Sequence, residues 1–172
     1  MPVYCYRAVY VCAPAFFFLA GVSVALSAQR RGKVEPMHLI ARGVLLIVLE
    51  LTIVGFSWAF RPGYSFAGVI WALGWSMILL ALCVRLPPAV LFTIAVVMIG
   101  GHDALTSGFG SSSTVWRLLH VPGDVHFGHA SWFVLYPLIP WCAVMLLGYA
   151  TKPLWGVPGT MRRRLSHKEY DL

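Results

Sequence analysis

Residues 39–60 read LIARGVLLIVLELTIVGFSWAF, an apolar run with a single carboxylate, Glu50, near its middle. A helix rises about 1.5 Å per residue, so roughly 20 such residues cover the ~30 Å of hydrocarbon in a bilayer. The run is therefore long enough to cross. A carboxylate at that depth costs about 2.5 kcal/mol or more, which makes Glu50 a functional-site candidate by default. Working outward, residues 8–28, 66–84, 89–105 and 132–150 give four more apolar segments. The fourth starts after Pro87-Pro88 and is interrupted by Gly100-Gly101, which leaves it too short to span alone.

Composition agrees with this reading. The chain is 59% hydrophobic and 11% charged, with a mean hydropathy of +0.78, far from the usual soluble mix of about half apolar and a quarter charged. The expected fold is all-α: one domain, a polytopic transmembrane bundle of about five segments. The outer connection at 106–131 is too short for a second domain, and a basic inner tail occupies 151–172.

Lys and Arg set the orientation. With the N-terminus outside, the inner side receives Arg30, Arg31, Lys33, Arg42, Arg85, Lys152, Arg162, Arg163, Arg164 and Lys168. The outer side keeps Arg7, Arg61 and Arg117. Ten against three is a strong positive-inside bias, and it accounts for the net charge of +7 without any nucleic-acid partner. The first segment carries its charges after the apolar run, at Arg30 and Arg31, the reverse of a signal peptide. It reads as a retained helix. Cys5, Cys12, Cys83 and Cys142 show no paired spacing, so neither a disulfide framework nor a metal site is expected.

Within the helices, Gly68, Ala72 and Ser76 recur every four residues and predict a close helix–helix seam, with Trp71 and Trp75 beside it. Glu50 shares a helical face with Gly43 and Ser57, each seven residues away. Arg42 lies about 12 Å from Glu50 along the axis, too far for a direct pair. Glu50 therefore needs a donor from elsewhere or a proton of its own. It serves either as a structural carboxylate bonded to a neighbouring helix or in catalysis or transport.

His102 and Asp103 are adjacent, so on a helix their side chains diverge. Partners for them are available in His120, His126, His129 or Asp124, giving imidazole beside carboxylate, the arrangement that general-base catalysis uses near neutral pH. Solvated loop histidines are the plainer reading of His126 and His129.

The stretches Cys12-Ala13-Pro14-Ala15-Phe16-Phe17-Phe18-Leu19-Ala20-Gly21, Arg42-Gly43-Val44-Leu45-Leu46-Ile47-Val48-Leu49-Glu50-Leu51 and Val69-Ile70-Trp71-Ala72-Leu73-Gly74-Trp75-Ser76-Met77 carry a family pattern. So do Gly101-His102-Asp103, Trp116-Arg117-Leu118-Leu119-His120-Val121-Pro122-Gly123 and Leu135-Tyr136-Pro137-Leu138-Ile139-Pro140-Trp141. Together they resemble bacterial membrane proteins related to heparan-α-glucosaminide N-acetyltransferase.

The resemblance implies a polytopic acyltransferase of the cell (inner) membrane. It would pass acetyl from cytosolic acetyl-CoA, as co-substrate, to an amino sugar or other acceptor on the outer side. On that reading His102 and His120 are the candidate bases, with Asp103 or Glu50 orienting them or stabilising an imidazolium. Arg30, Arg31, Lys33 and Arg42 are the candidates for the CoA phosphates. The resemblance also implies helices before Met1 and after Leu172. The lipid bilayer and either further helices or a second copy are then the expected partners. The family's essential histidine belongs to the preceding region and is carried onto no residue here, His129 included. The alternative is a non-enzymatic membrane protein, a proton or solute conduit around Glu50 or a structural subunit.

Overall fold

The computed structural model describes residues 2–55, 57, 64–108, 114–120, 122–127 and 130–155. Side chains are described for most of these from Cys12 to Leu154. The charges at Arg61, Arg162–164 and Lys168 and the ring of His129 fall outside the described residues, as do the side chains of Arg7, Asp103, Arg117 and His126.

The apolar runs become helices, α1 retaining Pro14 in its interior: α1 (Pro2–Arg31), α2 (Pro36–Leu49), α3 (Val69–Cys83), α4 (Pro88–Gly108), the short α5 (Thr114–His120) and α6 (Leu138–Ala150). Prolines at the starts of α2 and α4 sit where a missing N–H costs nothing. Two helices are long and apolar enough to cross a membrane, Cys12–Arg31 and Pro36–Val54; Val69–Cys83, Pro88–His102 and Leu138–Leu154 are shorter apolar helices.

Helix α6 is the centre of the packing. It lies against α1, α3 and α4, while α2 packs on α3. Close approach is made by glycines. A Cβ on Gly43 would sit 2.6 Å from the Gly74 carbonyl oxygen, and one on Gly74 the same distance from that of Gly43, so α2 and α3 meet backbone to backbone. Gly21 of α1 lies on the main chain of Met145 and Tyr149, and Gly148 of α6 on that of Phe18. The expected seam on α3 is present: Gly68, Ala72 and Ser76 are buried. Ser76 Oγ lies 2.7 Å from the Ala72 carbonyl and 3.2 Å from Cys142 Sγ on α6. Large apolar side chains such as Leu45, Ile53, Leu82 and Val97 point outward.

Three expectations are corrected. The fold is mostly helical, as expected, but not purely so: β1 (Tyr64–Ala67), β2 (Gly123–Phe127) and β3 (Ala130–Val134) form a small sheet in the order β1-β3-β2. Strands β1 and β3 are parallel and β2 is antiparallel to β3. The connection at 106–131 thus carries a helix, one strand and the start of another, and the 66–84 and 132–150 segments each begin as strand before turning helical. Secondly, α4 runs unbroken through Gly100-Gly101, because two glycines weaken a helix without removing its hydrogen bonds. Thirdly, Ser57 does not share the buried face of Glu50. A π-turn at Glu50–Val54 inserts one residue into the helical count, which rotates Ser57 out to an exposed position where it bonds its own Ile53 carbonyl.

The sheet fixes the far end of the bundle. Strand β1 leads into α3 and β3 into α6, so their parallel pairing sets the two helices side by side at the seam. Ala67 and Val134 are fully buried within it, and the Leu135 amide extends the ladder to the Ala67 carbonyl at 3.1 Å.

Candidate functional site

Polar side chains gather at both ends of the bundle. At the far end, α4 delivers His102 and α5 delivers His120, and their ring centroids are 5.1 Å apart. His120 is thus one of the expected partners that the fold brings to His102, while Asp124 lies on β2 with an exposed side chain. Trp116, one turn earlier on α5, stacks on His120 at 4.0 Å and 6°. His120 is only 4% exposed, and neither ring nitrogen has a hydrogen-bond partner among the described residues. Burial, and secondarily the nearby His102, hold its pKa below the ordinary histidine value. That direction favours the neutral imidazole, whose one unprotonated nitrogen can accept a proton.

Trp116 is a residue that the sequence reading passed over. Its signal is the four-residue spacing to His120, which places both rings on one helix face.

Glu50 opens the π-turn and is 1% exposed. Its Oε1 accepts a hydrogen bond of 2.8 Å from the Gly68 amide, at the N-terminus of α3. That amide is one of the four donors a helix leaves unpaired, and the helix dipole favours a carboxylate there. The donor Glu50 requires thus comes from a neighbouring helix end and not from Arg42. Oε2 is buried without a partner among the described residues. Gly68 must be glycine for this contact: a Cβ would stand 2.5 Å from Oε1 and 2.7 Å from the Phe66 ring.

At the opposite end, Arg31, Lys33 and Arg42 line a cleft of about 250 Å³, together with His38 and Glu35. Arg30 does not line it. Lys33 Nζ pairs with Glu35 at 2.9 Å, and that contact lowers the Glu35 pKa. His38 was not anticipated, although it sits four residues before Arg42 on the same helix face. Guanidinium groups such as those of Arg31 and Arg42 form charge-assisted, bidentate bonds to phosphate-like anions, so the chemistry of the lining suits an anionic group.

The structure therefore joins His102 to His120, and Arg31 and Lys33 to Arg42. It gives Glu50 a separate place at the foot of α3. About 21 Å of α4 separates Pro88, at the basic end, from His102.

No match is found among curated proteins or among solved structures. The family model described as heparan-alpha-glucosaminide N-acetyltransferase, catalytic, matches residues 2–170. With histidines at one end of an apolar bundle and a basic cleft at the other, the chain belongs to the heparan-alpha-glucosaminide N-acetyltransferase catalytic family.

Proposed function

We propose that this chain is a membrane acyltransferase, or the part of one, that uses acetyl-CoA bound at the basic end to acetylate an amine or hydroxyl acceptor at the far end. The five apolar helices α1, α2, α3, α4 and α6 cross the cell membrane with the N-terminus outside, so that the basic cleft faces the cytosol. The acceptor is an amino sugar or a related molecule. Further helices or a second copy complete the lipid-facing surface.

The observation that carries this reading is His120: buried, neutral in tendency and without a hydrogen-bond partner among the described residues, beside His102. As an amine attacks the thioester carbonyl, the C–N bond forms, the C–S bond breaks and CoA leaves as its thiolate; in this reading His120 takes the proton that the amine sheds and can return it to the leaving thiolate or to water. Trp116 fixes the ring plane by stacking. At the other end Arg31 and Arg42 hold phosphate, and CoA supplies the activated acetyl group. For both ends to serve one reaction, the acyl-bearing arm has to run between helices for much of the 21 Å.

The test is transfer in proteoliposomes, with labelled acetyl-CoA on the basic-end side and glucosamine on the other. The expected outcome is labelled acetyl-amine, reduced about 10²- to 10⁴-fold by His120→Ala. Arg31→Gln with Arg42→Gln should raise KM for acetyl-CoA tenfold or more with a smaller change in kcat. Transfer untouched by His120→Ala removes the base from the mechanism.

The non-enzymatic alternative has one observation in its favour: the buried Oε2 of Glu50 has no hydrogen-bond partner among the described residues. A conduit there predicts proton flux that Glu50→Gln abolishes, in a protein with no acetyl-CoA turnover.

A further inference from the structure

A second cleft, of about 290 Å³, opens at the basic end of the bundle. Its cations come from three distant points of the chain: Lys33 from the α1–α2 turn, Arg85 from the turn after α3, and Lys152 from the short 3-10 turn (Lys152–Trp155) after α6. Among the described residues no carboxylate lines it, and Ala28, Val84 and Tyr149 supply apolar wall. A bias of charge toward one side of a membrane needs basic residues at this end. It does not need three of them to converge on one concavity.

Lys152 is also anchored. The Lys152 carbonyl accepts a 2.7 Å hydrogen bond from Gln29 Nε2 of α1, and its ammonium lies 6.0 Å from the Tyr149 ring centroid. Lys33 borders both clefts but is paired with Glu35 at 2.9 Å. Arg85 and Lys152 have no ion-pair partner among the described residues and remain as the uncompensated charge.

We propose that this cleft binds the phosphate of an anionic lipid headgroup, between Arg85 and Lys152. The lipid source follows from the flanks. Leu82, in the last turn of α3, is 69% exposed, and Leu86, next to Arg85, is 40% exposed. Apolar side chains open to the surroundings on both sides of an arginine place it where acyl chains give way to headgroups. A phosphate arriving from water has no use for such flanks. The inference rests on the membrane-spanning part of the proposed function and not on acyl transfer.

The test uses the full chain in neutral detergent, titrated with short-chain phosphatidylglycerol, phosphatidylcholine, inorganic phosphate and CoA, and read by the shift in thermal unfolding. Phosphatidylglycerol is expected to raise the transition and phosphatidylcholine to leave it in place. Arg85→Gln with Lys152→Gln should weaken the phosphatidylglycerol effect tenfold or more. Arg85→Lys should keep most of it, which separates lost charge from lost fold, and Arg42→Gln in the first cleft should leave it unchanged. Equal shifts from the two lipids, or an undiminished shift in the double variant, overturn the proposal. So does inorganic phosphate or CoA acting as strongly as phosphatidylglycerol through Arg85 and Lys152, since the source is then a soluble phosphate. Resistance of the native protein to alkaline extraction from membranes is measured in parallel; extraction would sink the membrane-spanning reading itself, whatever the lipid titration shows.

Discussion

Among the described residues Glu50 accepts one hydrogen bond, at Oε1, and its Oε2 has no partner, and that asymmetry sets what its substitutions do. Glu50→Ala leaves the Gly68 amide buried without its acceptor, at a cost of about 1–3 kcal/mol. Glu50→Gln keeps an amide oxygen facing that donor and should fall within about 1 kcal/mol of the parent. Thermal unfolding followed by tryptophan fluorescence separates the two; an alanine variant as stable as the parent would show that the bond to α3 contributes nothing. His120 makes a prediction in pH. Its folded pKa is depressed by burial and by His102, so in the unfolded chain it takes up a proton at a higher pH than in the fold. Stability from this group is therefore fully present above the unfolded value near 6.5 and declines as pH falls through 6.5 toward the folded pKa. His120→Phe should flatten that part of the stability profile, and an unchanged slope would assign the acid sensitivity elsewhere. The histidine pair was partly legible in the sequence: residue type and spacing marked both rings as candidates. Their meeting was not, because it depends on where a short helix folds back after residues 109–113.

Between elements, the fold depends on where backbones touch. Gly21→Ala, Gly43→Ala and Gly148→Ala each push a methyl into a main-chain carbonyl of the partner helix, and backbone has little room to yield. Each should destabilise by about 1–3 kcal/mol. Gly100→Ala and Gly101→Ala are the internal control. A Cβ at either position meets nothing within 4 Å, and both lie inside α4, so each should stabilise by about 0.5–1 kcal/mol. Loss of stability at Gly100 on the scale of Gly43 would mean that another surface covers α4 there. The same contrast explains what the sequence could reveal. Apolar runs located five helices, two of them long enough to cross a membrane, and a four-residue recurrence of small side chains located the α3 seam. A glycine in a tight crossing and one in open space look alike in sequence, so Gly100-Gly101 read as a break when it is only a weak point. Strands β1 and β3 stayed hidden because their pairing joins Tyr64 to Ser131, far apart in the chain, and because each runs directly into an apolar helix. The π-turn at Glu50 leaves no compositional mark at all.

At the scale of the whole molecule, both proposals depend on the two ends lying in different compartments. The architecture argues for this from the way charge and packing divide. The basic end gathers Arg31, Lys33, Arg42, Arg85 and Lys152 around two clefts. The far end holds the sheet, the histidine pair and the buried Glu50. Between them lies a belt where Leu45, Val97 and their like face outward, and such a belt is stable only against hydrocarbon or another apolar surface. A chain lying flat on one leaflet would instead segregate polar and apolar faces along each helix. The α1–α2 turn and α5 offer exposed positions at opposite ends, Glu35 and Val115. After replacement of the four native cysteines, Glu35→Cys and Val115→Cys can be challenged in intact cells with a membrane-impermeant maleimide. Val115→Cys should be modified at once and Glu35→Cys only after the membrane is permeabilised, since positive charge marks the cytosolic side. The reverse pattern would turn the bundle over and put the basic clefts beyond the reach of cytosolic CoA. Modification of both from one side would end the spanning arrangement altogether, and with it the division of labour between a phosphate-binding end and a proton-accepting one.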